Sequence, residues 1–365
     1  MHALFHDKFI VPEGGPYFLT HSIGPMTVKG QAYLEQHYLS PWRDKGGQAW
    51  PYWLTLLDQF NGALAKLLGG GEDEYAHQPN LSTGLAKYLL ALPLPDKKNQ
   101  VLMHADAFPS MGFVVHALQS QGYRLSLIPS DQPPHDPEVW EDHMDDNTAA
   151  VLITHVHSMT GILSPVEDIA RLAKAKDIQV LIDVAQSAGI IPFHIPDWDA
   201  DAVFGSCIKW LCGGPGAGWM WVRRENLPKL TPKSVGWFSH SNPFEFDIRN
   251  FELSETAKRF WDGTPSVAPY AMALGGIETI SEIGVETIRS HNLHLLKTAC
   301  PERDLEHSGG TLCYDAGAQA DQIENALKRM KAKFDRRGDR LRLSLHANNS
   351  ESEAAKLREI FSNFN

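Results

Sequence analysis

The stretch Gly205-Ser206-Cys207-Ile208-Lys209-Trp210-Leu211-Cys212-Gly213-Gly214-Pro215-Gly216 sets a lysine between an apolar strand, Ala202 to Ser206, and a glycine-rich turn. Upstream, Leu181-Ile182-Asp183-Val184-Ala185-Gln186-Ser187 ends another apolar run on an acid. Ligands in open α/β sheets gather at the carboxyl ends of strands, so an acid and a lysine at two such ends can meet in one pocket. Lys209 stands between Ile208 and Trp210. Burial there lowers the pKa of an amine and favours imine formation.

The pattern around these two residues is an alternation of strands and helices. Strands are expected at 101–105, 123–128, 149–156, 178–182, 202–206 and 218–222. Helices are expected at 26–40, 50–68, 81–92, 110–121 and 166–176. In 50–68, Leu54, Leu57, Phe60, Leu64 and Leu67 recur at helical spacing, and Gly69-Gly70-Gly71 ends the run. Pro93 limits the helix at 81–92. Such alternation predicts a mostly parallel sheet covered by helices. Beyond residue 265 the order changes to one or two helices over 268–299, a strand at 311–314, a helix at 319–332, a strand at 340–345 and a helix at 351–362. This reads as a compact α+β unit. The expected division is an N-terminal segment, 1–45, contributing to the small domain, a large α/β domain, 46–265, and a small C-terminal domain, 266–365. The segment 228–260 is aromatic and aperiodic, and long irregular segments in compact proteins are often functional.

At 43% hydrophobic and 21% charged residues, the 365-residue chain is of ordinary globular composition and can bury a large core. A net charge of −11 argues against nonspecific nucleic-acid binding. Cys207, Cys212, Cys300 and Cys313 form no CxxC pair, so neither a zinc site nor a disulfide framework is indicated. Residues 1–15 lack the apolar core of a signal peptide, and no apolar run approaches a membrane span. The cytoplasm is the expected compartment. His155-Val156-His157 could present two metal ligands, but no partner follows at metal-site spacing, and no metal is expected. His104, His116 and His135 look incidental.

Lysine paired with a strand-end carboxylate is what pyridoxal 5′-phosphate (PLP) requires, one for a Schiff base and the other for the pyridinium nitrogen. Asp183 could equally be an N-cap for the next helix. Gln186 could face the same pocket and hydrogen-bond the ring. Leu81-Ser82-Thr83-Gly84 opens a helix and suits a phosphate, and Ser206 is a second candidate. Phe108, after a strand, could stack on the ring or simply pack in the core. Alternation puts Arg340, Arg342 and Ser344 on one strand face. There an arginine fork suits a substrate carboxylate, although a solvated edge is an alternative.

Together these stretches resemble the class V aminotransferase family of fold-type I PLP-dependent enzymes, and within it the kynureninases. The likeness runs from Tyr17 to about Asn349. It includes Tyr17-Phe18-Leu19-Thr20-His21-Ser22-Ile23-Gly24, Thr154-His155-Val156 with Thr160-Gly161, the Asp183 segment, Lys209 to Gly216, Gly236-Trp237-Phe238-Ser239-His240, Gly263-Thr264-Pro265 and the Arg342 strand. The resemblance implies the aspartate aminotransferase-like α/β fold, with a mostly parallel central sheet and a smaller α+β domain. It implies that Lys209 holds PLP as a Schiff base, that Asp183 keeps the ring nitrogen protonated, and that Phe108 stacks on the ring. Leu81, Ser82, Ser206 and Trp237 would hold the phosphate, with Thr264 reaching across a dimer interface. Arg342 and Ser22 would bind the substrate. A homodimer with active sites at the interface is also implied.

Several positions depart from the kynureninase pattern. Met111 follows Ser110 where kynureninases carry an aspartate. Gln186 replaces their histidine, Ile208 their tyrosine, and Gly46-Gly47 their glycine-histidine pair. The expected function is kynureninase-like chemistry on L-kynurenine or a related amino acid. The alternatives are a class V aminotransferase, a cysteine desulfurase or selenocysteine lyase, and a PLP-fold binding protein without catalysis. A desulfurase needs a nucleophilic cysteine on the loop before the carboxylate-binding arginine, and residues 316–341 contain none.

Overall fold

The computed structural model describes residues 5–94 and 97–364. Strands β1 (Phe9–Ile10) and β2 (Met26–Thr27) form a small antiparallel pair. Helix α1 (Val28–Tyr33) passes through a π-helical turn (Leu34–Leu39) into α2 (Ser40–Lys45), and α3 (Trp50–Leu68) follows. The large sheet contains β3 (Tyr75–Gln78), β4 (Gln100–His104), β5 (Arg124–Ile128), β6 (Thr148–Thr154), β7 (Gln179–Asp183), β8 (Ala202–Ser206) and β9 (Gly218–Val222). Between them lie α4 (Leu81–Ala91), α5 (Pro109–Ala117), α6 (Pro137–His143) and α7 (Val166–Ala175). The C-terminal part comprises α8 (Ala268–Ile283), α9 (Val285–Ala299), β10 (Thr311–Asp315), α10 (Ala320–Arg329), β11 (Asp335–Arg337), β12 (Arg340–Ser344) and α11 (Glu351–Ser362).

The seven strands run in the order β3-β9-β8-β7-β6-β4-β5. Only β9 pairs antiparallel to its two neighbours; the other pairs are parallel. Burial explains the composition of the central strands. Val180, Leu181 and Ile182, like Ala150 to Ile153, are covered on both faces, which calls for continuous rather than alternating apolar residues. Helix α3 packs Leu57, Phe60, Leu64 and Leu68 into that core, and Gly69, at φ 91°, ends it. A second sheet, β10-β12-β11, is antiparallel. Its core includes Leu312, Ile323, Leu341, Leu343 and Leu357.

Several boundaries differ from the sequence reading. The helix expected over 26–40 starts at Val28, because Thr27 caps it by accepting a bond from the Gly30 amide at 2.9 Å, and helical structure continues to Lys45. The helix expected over 110–121 ends at Ala117 and tightens into a 3-10 turn, Leu118–Gln121. The strand expected to reach Val156 ends at Thr154. β3, α6 and β11 were not anticipated: each is short, and β11 is wholly charged, Asp-Arg-Arg, so it carries no apolar period.

The N-terminal segment ties the two sheets together. Phe18 joins the small core. Its amide donates to the Lys333 carbonyl at 2.8 Å, and its carbonyl accepts from the Ser344 amide at 2.9 Å. Six residues on, the Gly24 amide donates to the Ile208 carbonyl at 2.7 Å. A Cβ at Gly24 would fall on the Lys209 carbonyl oxygen and crowd Cys212. Gly24→Ala is therefore expected to cost about 1–3 kcal/mol of stability, as overpacking does. Gly47→Ala, which enters open space, should stay within about 0.5 kcal/mol. Denaturant unfolding of the two variants checks this; equal midpoints would mean that the Gly24 contact does not hold the Lys209 loop.

Candidate active site

Three strands deliver polar groups to one edge of the large sheet. Thr154 ends β6 and Asp183 ends β7, paired side by side in the parallel register; Ser206 ends β8. The chain then turns through the Lys209 loop. This loop is closed by Gly213 donating to the Cys207 carbonyl at 2.7 Å and Cys212 donating to the Lys209 carbonyl at 3.0 Å. A Cβ at Gly213 would press on Cys207 and Ala273, so glycine is what allows α8 to lie against the loop.

These groups line a cavity of about 290 Å³ that holds Lys209, Asp183, Ser206, Phe108, Gln186 and Ser22 together with Leu81 and Ser82 from the start of α4. The Lys209 amine lies 5.7 Å from the centre of the Phe108 ring. Burial, chiefly, lowers its pKa to about 8; Asp183 opposes that shift, while Arg342 and Arg337 add to it. Lys209 is partly accessible and lines the cavity. Burial also raises the Asp183 carboxyl, against the Ala185 amide and the Lys209 charge, which favour its ionised form. The Ala185 amide donates to Asp183 Oδ1 at 2.8 Å. Among the described residues no helix directly follows Asp183: residues 185–190 form turns, so this bond closes a turn and the expected helix cap is not formed.

Gln186 lines the cavity with its amide already engaged. Its Nε2 donates to the His21 carbonyl at 3.0 Å, and its Oε1 accepts from Trp210 Nε1 at 3.2 Å. Three expected site residues lie elsewhere. Trp237 belongs to an aromatic cluster, 6.3 Å from Trp50 and 6.4 Å from Phe246 between ring centres. Thr264 lines a separate cavity of about 150 Å³, beside the Lys87–Asp262 ion pair at 2.6 Å. Arg342 is 1% exposed and donates from Nη1 to Asp335 at 2.7 Å. Its strand face is covered, not the solvated edge weighed as an alternative: Ser344 beside it is buried as well.

Two cavity residues escaped the sequence reading as site residues. The hydroxyls of Thr154 and Ser158 are buried without a hydrogen-bond partner among the described residues, and both residues line the cavity. Buried polar atoms without partners are costly, and these two hydroxyls are open to a polar group in the cavity. The strand-end rule that found Asp183 reaches Thr154 too; Ser158 opens the turn between the bridged Val156 and Leu163, where no local pattern marks it. Met111, Val156 and Ile208 supply an apolar wall. Among the described residues no group of His, Cys, Asp or Glu is placed to hold a metal ion. The His155 and His157 rings bond instead to Ser187 at 2.9 Å and Ser164 at 3.2 Å.

Comparison with known proteins bears on the family and the fold. The family model described as "Aminotransferase class-V" matches residues 82–335. The uncharacterized aminotransferase YcbU of Bacillus subtilis (strain 168) is 30% identical over 257 residues, 70% of this chain and 66% of that protein, just under two thirds of its length. Kynureninase of Pseudomonas fluorescens is 27% identical over 305 residues, 80% of this chain and 71% of that protein. Among solved structures, the cystine C-S lyase C-DES, in complex with cysteine persulfide, superposes with a TM-score of 0.86 at 19% identity, covering 96% of this chain and 98% of that one. The apo cysteine desulfurase of Thermococcus onnurineus NA1 gives 0.83 at 20% identity, covering 96% and 94%. Both share the fold, and with a family model covering more than half of its length the chain belongs to the class V aminotransferase family.

Proposed function

We propose that the chain is a PLP-dependent enzyme that acts on the α-amino group of a small amino acid, with kynureninase-like carbon–carbon cleavage as its chemistry. The observation that carries this reading is the Lys209 amine, depressed to about 8, in one cavity with Asp183 and beneath Phe108. The residues present fit the cofactor. Lys209 would hold it covalently, Asp183 would pair with its ring nitrogen and Phe108 would lie against the ring. Leu81, Ser82 and Ser206 would hold the phosphate, and the unpaired hydroxyls of Thr154 and Ser158 offer further donors. When bound, PLP supplies an electron sink that stabilises negative charge at the substrate α-carbon.

The chain's own residues do the rest. Lys209 Nζ, once free of the cofactor, takes the α-proton as a general base; a pKa of about 8 keeps a useful neutral fraction near neutral pH. Arg342 would attract the substrate α-carboxylate, and Ser22 at the cavity wall would help to orient it. Gln186, tied to His21 and Trp210, holds the N-terminal segment against the site. The apolar wall of Met111, Val156 and Ile208 suits a substrate side chain with apolar surface and excludes water from it. Trp237 and Thr264, outside this cavity, would serve the phosphate of a second copy in a homodimer. The exposed Phe244 and Phe246 beside Trp237 support such a contact.

A transaminase reading is favoured by one observation, the 30% identity to a protein described as an aminotransferase. The desulfurase reading lacks support from the thiols. All four cysteines are free and buried, and burial raises the pKa of each, which suppresses the thiolate that such a nucleophile requires.

L-kynurenine added to the PLP-loaded protein is expected to shift the cofactor absorption and release anthranilate. A spectral shift without anthranilate would reject carbon–carbon cleavage and retain the amino-acid enzyme. Borohydride reduction should fix the cofactor on Lys209, and Lys209→Ala should abolish that adduct; an adduct on another lysine would refute the assignment. Acylation of Lys209 in cofactor-free protein should rise through an ionisation near pH 8, because the amine reacts once it loses its proton. Surface lysines should keep rising to about pH 10.4. Coincident profiles, read by peptide mass spectrometry, would mean that the cavity does not depress the amine.

A further inference from the structure

A cluster of charges stands on the β11–β12 hairpin, outside the residues that line the cavity. Asp335 lies directly opposite Arg342 in the strand register. Its Oδ2 accepts from Arg342 Nη1 at 2.7 Å and lies 3.4 Å from Arg337 Nε. Arg337 is otherwise weakly held: its Nη1 reaches the Met159 thioether at 3.4 Å, one residue beyond Ser158 of the cavity wall. His21 Nε2 is 3.9 Å from the same Asp335 oxygen. Burial, foremost, holds that imidazole down to about 4, so it is neutral near pH 7. Two guanidinium groups therefore share one carboxylate, and the cluster carries a single net positive charge. The cluster meets the cavity wall through Arg337, which touches Met159 beside Ser158, and both guanidinium groups add to the lowering of the Lys209 amine.

We propose that Asp335 is a specificity-determining residue, an internal carboxylate that neutralises one of the two arginine charges and matches the site to amino acids with one carboxylate, against those with a second acidic group. The inference rests on the proposed amino-acid chemistry, with Arg342 as the carboxylate receptor. A substrate α-carboxylate balances the remaining charge. A second acidic group would have to share Arg337 with Asp335, placing two carboxylates on one guanidinium. Like charges brought together in a partly desolvated site are costly, and discrimination of this kind comes from the repulsive element rather than from added contacts. Asp335 is 27% exposed and Arg337 38% exposed, so both can be altered with less disturbance than Arg342, which is fully enclosed.

L-glutamine and L-glutamate have nearly the same shape and differ by one charge, which makes the ratio of their dissociation constants the readout. In the PLP-loaded protein glutamate is expected to bind about tenfold or more weakly than glutamine, a difference of about 1.4 kcal/mol. Asp335→Asn should remove most of that difference, and Asp335→Glu should keep it. Arg337→Gln alone, on a half-exposed side chain, should widen it. Added to Asp335→Asn, Arg337→Gln should bring the preference for glutamine back. Equal binding of the two amino acids by the unaltered protein, or a ratio that neither Asp335→Asn nor Arg337→Gln moves, would overturn the proposal. Calorimetry with glutarate and glutaramate, which lack the amine, reads the same charge selection without the lysine. Discrimination there, without any spectral response to amino acids, would sink the proposed enzyme chemistry and uphold the role of Asp335. Equal affinities there would refute Asp335 whatever the amino acids do.

Discussion

Confining the Lys209 amine in a protein cavity is the constraint on which the rest of the site depends. An ammonium removed from water is unstable unless a counter-charge stands by or the proton leaves. Here both occur. Asp183 favours the charged form while burial and two arginines favour the neutral one, and the balance falls near a pKa of about 8. That balance serves an amine that has to form a covalent bond and later accept a proton. The same burial raises Asp183, so the two groups restrain each other: the carboxylate stays useful to a cationic partner only because positive charge lies near it.

Holding this pair in place requires backbone from distant parts of the chain. The parallel register sets Thr154 beside Asp183, and the antiparallel pairing of β8 with β9 aligns Ser206 with Gly218, which turns the chain back behind Lys209. A Cβ at Gly218 would strike the Gln78 and Asn80 backbone, so glycine lets β9 lie close to the entry of α4, where Leu81 and Ser82 reach the cavity. On the other side, residues 17 to 24 run from the small sheet to the lysine loop, bonded at Phe18 to Lys333 and Ser344 and at Gly24 to Ile208. Movement of the small sheet would therefore be felt at Lys209 through covalent chain rather than through side-chain contacts alone.

The small sheet contributes chemistry through charge. Arg342 is enclosed, yet its guanidinium has a partner in Asp335, as a buried charge must. His21 bonds through Nδ1 to Ser344 at 2.8 Å, and Ser344 in turn donates to the Phe18 carbonyl at 3.0 Å. The polar residues on this face of β12 thus fix the N-terminal segment and the arginine in one network, and Gln186 extends it into the large sheet by its bond to the His21 carbonyl.

The sequence by itself determined the alternation of strands and helices, the parallel core, and the positions of Asp183 and Ser206 at strand ends and of Lys209 in the turn just after one. Each is a local property: an apolar run of a given period, a glycine turn, a charged residue where the run stops. It also marked Phe108, Leu81 and Ser82 by the same strand-end and helix-start logic, and all three line the cavity. Tertiary structure alone decided which groups are free to act. Gln186 meets His21, 165 residues away, and so has its amide engaged; Trp237 and Thr264 fall outside the cavity that the local motifs suggested. The wholly charged β11 has no apolar period to announce it, yet it brings Asp335 against Arg342 once the hairpin closes. The buried hydroxyls of Thr154 and Ser158, without partners among the described residues, emerge only when the cavity is assembled. Hydrogen-bond satisfaction and charge balance depend on the register and packing of segments far apart in sequence, and neither is written in any one stretch.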